Sequence, residues 1–326
     1  MPSRIGVLEA SRFLRTRDEL VADGHSDRDI RRLVEDEDLV RVRRNRYVDA
    51  LTWNRLWNEG RHLLQVVATH LNCDPPGPVF CGPSAAVLHG LPLYRHAPEK
   101  VHAVIMGRRH GRSRAGLMWH FVDAAAGDIV EIDGFRCTSL ERTALDLATA
   151  LRPEAGLSAV DAALRSVAVS GHVQDEDAAQ RWRADLLQHA ASRHDRGIRR
   201  AREIIDLADG RAQLPGESVS RWRMHQLGYR DVLLQVHIPC PGEEFWMDFG
   251  FPRARCFGEF DGEGKYVDPA LTSGRSTSEI VLAEKRREDL VRGVTGWRTA
   301  RWGHEHIRTP DALAARLAAF RIPPPG

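Results

Sequence analysis

The chain has 326 residues, of which 42% are hydrophobic and 28% charged. That is enough apolar material for two or three packed cores, and it excludes a disordered or fibrous protein. Its 47 basic residues against 45 acidic ones leave a formal charge of +2, so any nucleic-acid surface must be local and not a property of the whole chain.

No apolar run reaches the ~18 residues of a membrane span, and the first residues lead into a charged segment and not an apolar signal core. A soluble, cytoplasmic protein with no membrane partner is expected. Cys73, Cys81, Cys137, Cys240 and Cys256 are widely spaced, with no Cys-x-x-Cys pair. They read as small buried hydrophobes, without a disulfide framework or a zinc site. Lysine occurs only at Lys100, Lys265 and Lys285. All other cations are arginine, a bias that a GC-rich genome produces and that also suits bidentate phosphate contacts.

Residues 1–50 predict three short helices followed by a hairpin. Ser26 with Asp29 three positions on is a capping-box arrangement, and Ile30, Leu33 and Val34 form the apolar stripe of the third helix. Arg28, Arg31 and Arg32 fall off that stripe. Residues 39–48 alternate like two strands about a turn at 43–45, carrying Arg41, Arg43, Arg44 and Arg46 with no acid among them. This is the outline of a winged helix-turn-helix, whose third helix enters the major groove of duplex DNA while the hairpin arginines touch phosphates. The competing reading is a three-helix bundle with a solvated basic face, favoured by Asp27, Asp29 and the acids at 36–38.

A Pro/Gly-rich break at 74–78 opens a mixed α/β region, placed at 51–156. It has a helix ending near His89, a strand over 101–105, further strands near 119–122 and 129–132, and a capped helix running through Leu147. The arginine-rich loop at 107–114 suits either a phosphate grip or a solvated loop. Residues 157–213 predict an almost wholly helical linker region, and 214–326 a final α/β domain. The expected fold class is thus α+β and multidomain.

The final domain predicts a helix from about 214 toward Leu227, strands over 232–238, 245–249 and 255–262, a helix over 278–292 and a closing strand over 296–302. A hairpin centred near Arg253 sets Asp248 about opposite Glu259, and the two-residue period puts Asp261 on the Glu259 face. Like charges so opposed destabilise a sheet, which makes sense if a divalent cation lies between them. Glu217 offers a fourth oxygen donor. Hard ligands of this kind favour Mg2+ or Mn2+, and the arrangement suits phosphodiester hydrolysis, with Lys265 or Lys285 as the cation beside the phosphate. The alternative is an ordinary α/β domain in which these acids pair with Arg221, Arg255 and Arg287.

Two resemblances accompany these readings. Residues 4–48, with Ser84-Ala85-Ala86-Val87-Leu88-His89-Gly90-Leu91-Pro92 and Thr138-Ser139-Leu140-Glu141-Arg142-Thr143, resemble AbiEi-type antitoxins of bacterial type IV toxin-antitoxin systems. That implies a winged helix before a mixed α/β domain, autorepression, and a toxin or other protein partner. Residues from Glu217 to about Ile307 resemble the PD-(D/E)XK nuclease superfamily, nearest its very-short-patch-repair-endonuclease-like branch. This implies a restriction-endonuclease-like fold with Glu217, Asp248, Glu259, Asp261, Lys265 and Lys285 as site residues, and Glu217, Asp248 and Glu259 as metal ligands. The chain departs from the motif at Asp261, where the superfamily has lysine. Two functions follow: a metal-dependent DNA endonuclease, or an antitoxin-like transcriptional regulator with a degenerate nuclease fold.

Overall fold

The computed structural model describes residues 5–105, 116–121, 126–240, 242–262 and 277–325. Lys265 and the arginine-rich loop lie outside these residues. The fold is α+β, with several separate sheets, and divides into a first unit, Met1–Ala150, and a second, Leu151–Gly326. Among the described residues no helix is long and apolar enough to cross a membrane.

The first unit starts with α1 (Val7–Phe13), α2 (Arg17–Ala22) and α3 (Asp27–Glu35). Two capping boxes fix the starts of α2 and α3, Thr16 with Glu19 and Ser26 with Asp29, each satisfying orphan amides at both the cap and the third helical position. Leu20, Ile30 and Leu39 bury together under Leu33, Val34 and Tyr47. The hairpin follows as β1 (Leu39–Arg43) and β2 (Arg46–Asp49), turning through Asn45 at φ 58°. Arg15 and Tyr47 exchange backbone hydrogen bonds of 2.8 Å, so the link between α1 and α2 extends this small sheet on its far edge.

Next come α4 (Ala50–Asn54) and α5 (Asn58–His70), then a five-stranded sheet. Its strands are β3 (Val79–Phe80), β4 (Val101–Ile105), β5 (Leu117–Phe121), β6 (Ile129–Ile132) and β7 (Phe135–Thr138), in the order β5-β4-β3-β7-β6. Helices α6 (Gly82–Leu88) and α7 (Leu140–Ala150) pack with α5 around it.

In the second unit, α8 (Pro153–Ala168), α9 (Glu176–Ala191) and α10 (Ile198–Leu207) form a helical layer. The sequence predicts near-continuous helix here. The structure instead inserts a hairpin, β8 (Val169–Ser170) with β9 (Val173–Gln174), turning at Gly171 with φ 61°, a left-handed conformation that glycine adopts without strain. These strands are two residues long, too short to carry a period-2 signal.

The rest is α11 (Pro215–Gln226), then β10 (Leu233–Cys240), β11 (Glu243–Phe251) and β12 (Cys256–Phe260), then α12 (Thr277–Thr295), β13 (Arg298–Trp302) and α13 (Pro310–Ala319). The sheet order is β10-β11-β12-β13, antiparallel except for the parallel β12–β13 pair that α12 crosses over to make. α11 is buried nearly all round. A Cβ at Gly216 would come within 2.0 Å of the Phe260 ring, and Ser220 Oγ accepts from Trp302 Nε1 at 2.9 Å. Arg221 donates to Asp161 of α8 at 2.7 Å, within a buried pair whose carboxyl is pushed up by burial. These contacts fix the helix that carries Glu217 against the sheet that carries the other acids.

Candidate functional site

Two groups of expected residues can be placed. In the first unit the arginines separate into two classes. Arg28, Arg41 and Arg44 are exposed, and their side chains have no partner among the described residues. Arg31 makes one bond, from Nε to the Asp27 carbonyl at 3.3 Å, and Arg32 one ion pair, with Asp29 at 3.4 Å. Arg28, Arg31 and Arg32 recur at i, i+3 and i+4, so they share the face of α3 opposite Ile30, Leu33 and Val34.

Arg43 and Arg46 turn inward. Arg43 donates to Thr69 Oγ1 at 3.2 Å and to the Gly116 carbonyl at 2.7 Å, and burial lowers its pKa. Arg46 donates to Asn72 Oδ1 at 3.0 Å and the Leu71 carbonyl at 3.2 Å, while Asn72 returns a bond to the Arg44 carbonyl at 2.8 Å. These two arginines fasten the hairpin to α5, a role the alternating charge pattern could not announce.

Two of the acids that favoured a plain solvated face have local work, while Asp36, Glu37 and Asp38 stay exposed ahead of the hairpin. Asp27 is paired with Arg17 at 2.7 Å, which lowers its pKa. Asp29 is the capping-box acid, its carboxyl likewise lowered by the Ser26 hydroxyl and amide.

In the second unit, the β11–β12 register runs Phe251↔Cys256, Gly250↔Phe257, Phe249↔Gly258. Continued by one step it sets Asp248 against Glu259, as the sequence predicts. The backbones part there. Asp248 Oδ2 accepts from the Phe260 amide at 2.9 Å, so a side chain takes over where the ladder stops. Glu217, 3% exposed, accepts from the Gln213 amide at 2.9 Å and from Gln235 Nε2 at 3.4 Å.

Glu259 is held by two arginines. Its Oε1 lies 2.8 Å from Arg287 and its Oε2 3.1 Å from Arg301, the residue paired with it across β12–β13. Arg287 is braced by the Trp246 carbonyl at 2.9 Å and lies over the Phe245 ring. Arg301 also reaches Glu284 at 3.6 Å and Asp261 at 4.0 Å. Burial opposes its charge, but Glu259, Asp261, Glu284 and Glu288 outweigh that and hold its pKa raised. Lys285 points outward, exposed and without a partner among the described residues.

The donor chemistry is that of a hard divalent cation, yet the arrangement does not fit one. Both oxygens of Glu259 are engaged by guanidiniums, and among the described residues no three His, Cys, Asp or Glu groups converge as metal ligands. The structure pairs Asp248 with Glu259 in register and joins Asp261 to Glu259 through Arg301. It gives Glu217 a separate set of amide partners. Of the arginines expected to neutralise these acids, Arg287 does so, while Arg221 pairs with Asp161. Arg301 was not expected: it is far from Glu259 in sequence, and only a parallel crossover through α12 makes them neighbours.

Trp246 is half-buried and stacks with His172 and His237 at 4.4 and 4.5 Å. His172 contacts Gln235 and Gln213, the same pair that serves Glu217.

No family model matches the chain. It is 30% identical over 243 residues to the uncharacterized proteins MT2308 and Rv2248 from two strains of Mycobacterium tuberculosis, an alignment that spans 74% of this chain and 80% of theirs. The chain belongs to the family of these mycobacterial proteins.

Proposed function

We propose that this protein is a duplex-DNA-binding regulator, with residues 5–49 acting as a winged helix-turn-helix. The observation that carries the reading is the set of exposed arginines without a side-chain partner among the described residues, Arg28 on α3 with Arg41 and Arg44 on the hairpin, next to two others that fasten the hairpin in place. Rigid mounting with free cations is what phosphate contact needs, since a contact on a loose arm loses affinity to ordering entropy. Arg28 and Arg31 face outward near the start of α3, the end that meets base edges in this docking mode. Selecting bound sequences from a random-duplex library tests the assignment. Arg28→Ala or Arg31→Ala should change the preferred sequence, whereas Arg41→Ala should weaken binding to all sequences alike. Unchanged preferences in both α3 variants would remove that helix from the role.

In this reading the second unit has a nuclease-type core whose acids are held by arginines, in keeping with the antitoxin-like alternative and its protein partner. The second reading is a Mg2+-dependent DNA endonuclease. It is favoured by the α-β-β-β-α-β order, which sets Glu217 on the first helix and Asp248 against Glu259. Incubating plasmid with the full chain and Mg2+, beside Glu259→Ala, decides between them. Cleavage that the variant loses establishes the endonuclease.

A further inference from the structure

The resemblance to PD-(D/E)XK nucleases implies a divalent cation at Asp248 and Glu259, and the side chains found there disagree with it. Arg301 lies within 4.0 Å of three carboxylates, those of Glu259, Glu284 and Asp261. Arg287 takes the oxygen of Glu259 that Arg301 leaves. The Glu259 side chain is 5% exposed, while the two arginines are 25% and 32% exposed. A buried carboxylate flanked by further acids needs a counter-charge, and a divalent cation or a pair of guanidiniums can supply it. A guanidinium differs from the cation in one respect that matters for chemistry, because it offers only N–H donors and has no coordination site to activate a water.

We infer that in this chain Arg301, with Arg287, stands in for the cation, closing the acid row to divalent metal. The two arginines come from different elements, β13 and α12, and meet on the two oxygens of one carboxylate. That convergence makes them a fixed counter-ion and not a chance surface pair. The inference rests on the ion-pair geometry of the second unit alone and is independent of DNA binding by the first. Its consequence is conditional metal affinity. With Arg301 in place, Mn2+ must displace a guanidinium to reach Glu259. With Arg301 removed, Glu259, Asp261 and Glu284 lose a shared positive charge and gain an advantage in holding a cation.

Isothermal titration of the full chain with MnCl2 tests this. Arg301→Gln should bind at least tenfold more tightly than wild type, Arg301→Lys should behave as wild type, and adding Glu259→Gln to Arg301→Gln should abolish the gain. If Arg301→Gln gives no cooperative thermal transition, Arg287→Gln removes the other guanidinium and must show the same gain. Wild type binding Mn2+ as tightly as the arginine variants overturns the inference. So does a folded arginine variant that gains nothing, since the acids would then have no latent preference for a cation.

Discussion

Replacing Glu259 by Gln separates two accounts of the acid row by the sign of the effect on stability. If the row is a set of repelling carboxylates waiting for a cation, neutralising one relieves repulsion and raises the stability of the metal-free protein. With Glu259 bonded to Arg287 at 2.8 Å and Arg301 at 3.1 Å, neutralising it strands two guanidiniums. Breaking a fully buried ion pair costs about 3–5 kcal/mol. The arginines here keep a quarter to a third of their exposure and regain some hydration, and relief of repulsion from Asp261 offsets a little more, so about 2 kcal/mol is expected. For a unit the size of Leu151–Gly326, that corresponds to a fall of ~4–8 °C in Tm. Differential scanning calorimetry in the presence of a chelator reads it directly. A double-mutant cycle should show Arg301→Gln costing less in the Glu259→Gln background than alone. An unchanged or higher Tm for Glu259→Gln would refute the arginine-closed site.

Other perturbations follow from the same geometry. Gly216→Ala drives a methyl into the Phe260 ring and should cost about 1–3 kcal/mol in urea unfolding; a neutral result would mean that α11 is not seated as described. Arg43→Ala removes two charge-assisted hydrogen bonds, to Thr69 Oγ1 and to a Gly116 carbonyl that keeps only the Val101 amide, and should cost about 1–3 kcal/mol, whereas Arg41→Ala should stay within about 0.5 kcal/mol; equal costs would contradict the division of the arginines. His62 is buried and neutral, its pKa pushed down to about 3 by burial, between Ser84 Oγ at 2.9 Å and Gln65 Oε1 at 3.3 Å. A depressed folded pKa means that the unfolded chain takes up the proton first, so stability is full above the unfolded value and falls as the pH drops from about 6.5 toward 3. At pH 5 the loss is about 2 kcal/mol, and a His62→Asn variant should lack that part of the pH dependence in urea midpoints.

Much of the fold was legible because its signals are local. The capping boxes, the apolar stripe Ile30, Leu33, Val34 and the strand runs of β10 to β12 depend on residues within one element. The Asp248–Glu259 register was legible too, since a short connection at 252–254 leaves few ways to fold the hairpin back. What could not be read was the state of those acids. Arg301 meets Glu259 only through a crossover connection, and Arg43 meets Gly116 only when the hairpin packs beside β5. The inward turn of one arginine and the outward turn of the next, Arg44, is decided by tertiary neighbours that neighbouring letters do not encode. The stack of His172 on Trp246 was hidden for a similar reason, because His172 comes from the β8–β9 turn, which itself carries no periodic signal.

The central claim is that Arg41 and Arg44 meet DNA phosphates. Fluorescence anisotropy of a labelled duplex titrated with the full chain, repeated across ionic strengths of about 50 to 200 mM, measures it as the slope of log Kd against log salt. Each phosphate contact contributes ~0.9 to that slope, so the Arg41→Ala/Arg44→Ala variant should bind with a slope shallower by about 1.8 than wild type. Its thermal stability should be unchanged, because neither side chain has a partner to lose among the described residues. A wild type that does not bind duplex DNA, or a double variant with the wild-type slope, would contradict the account.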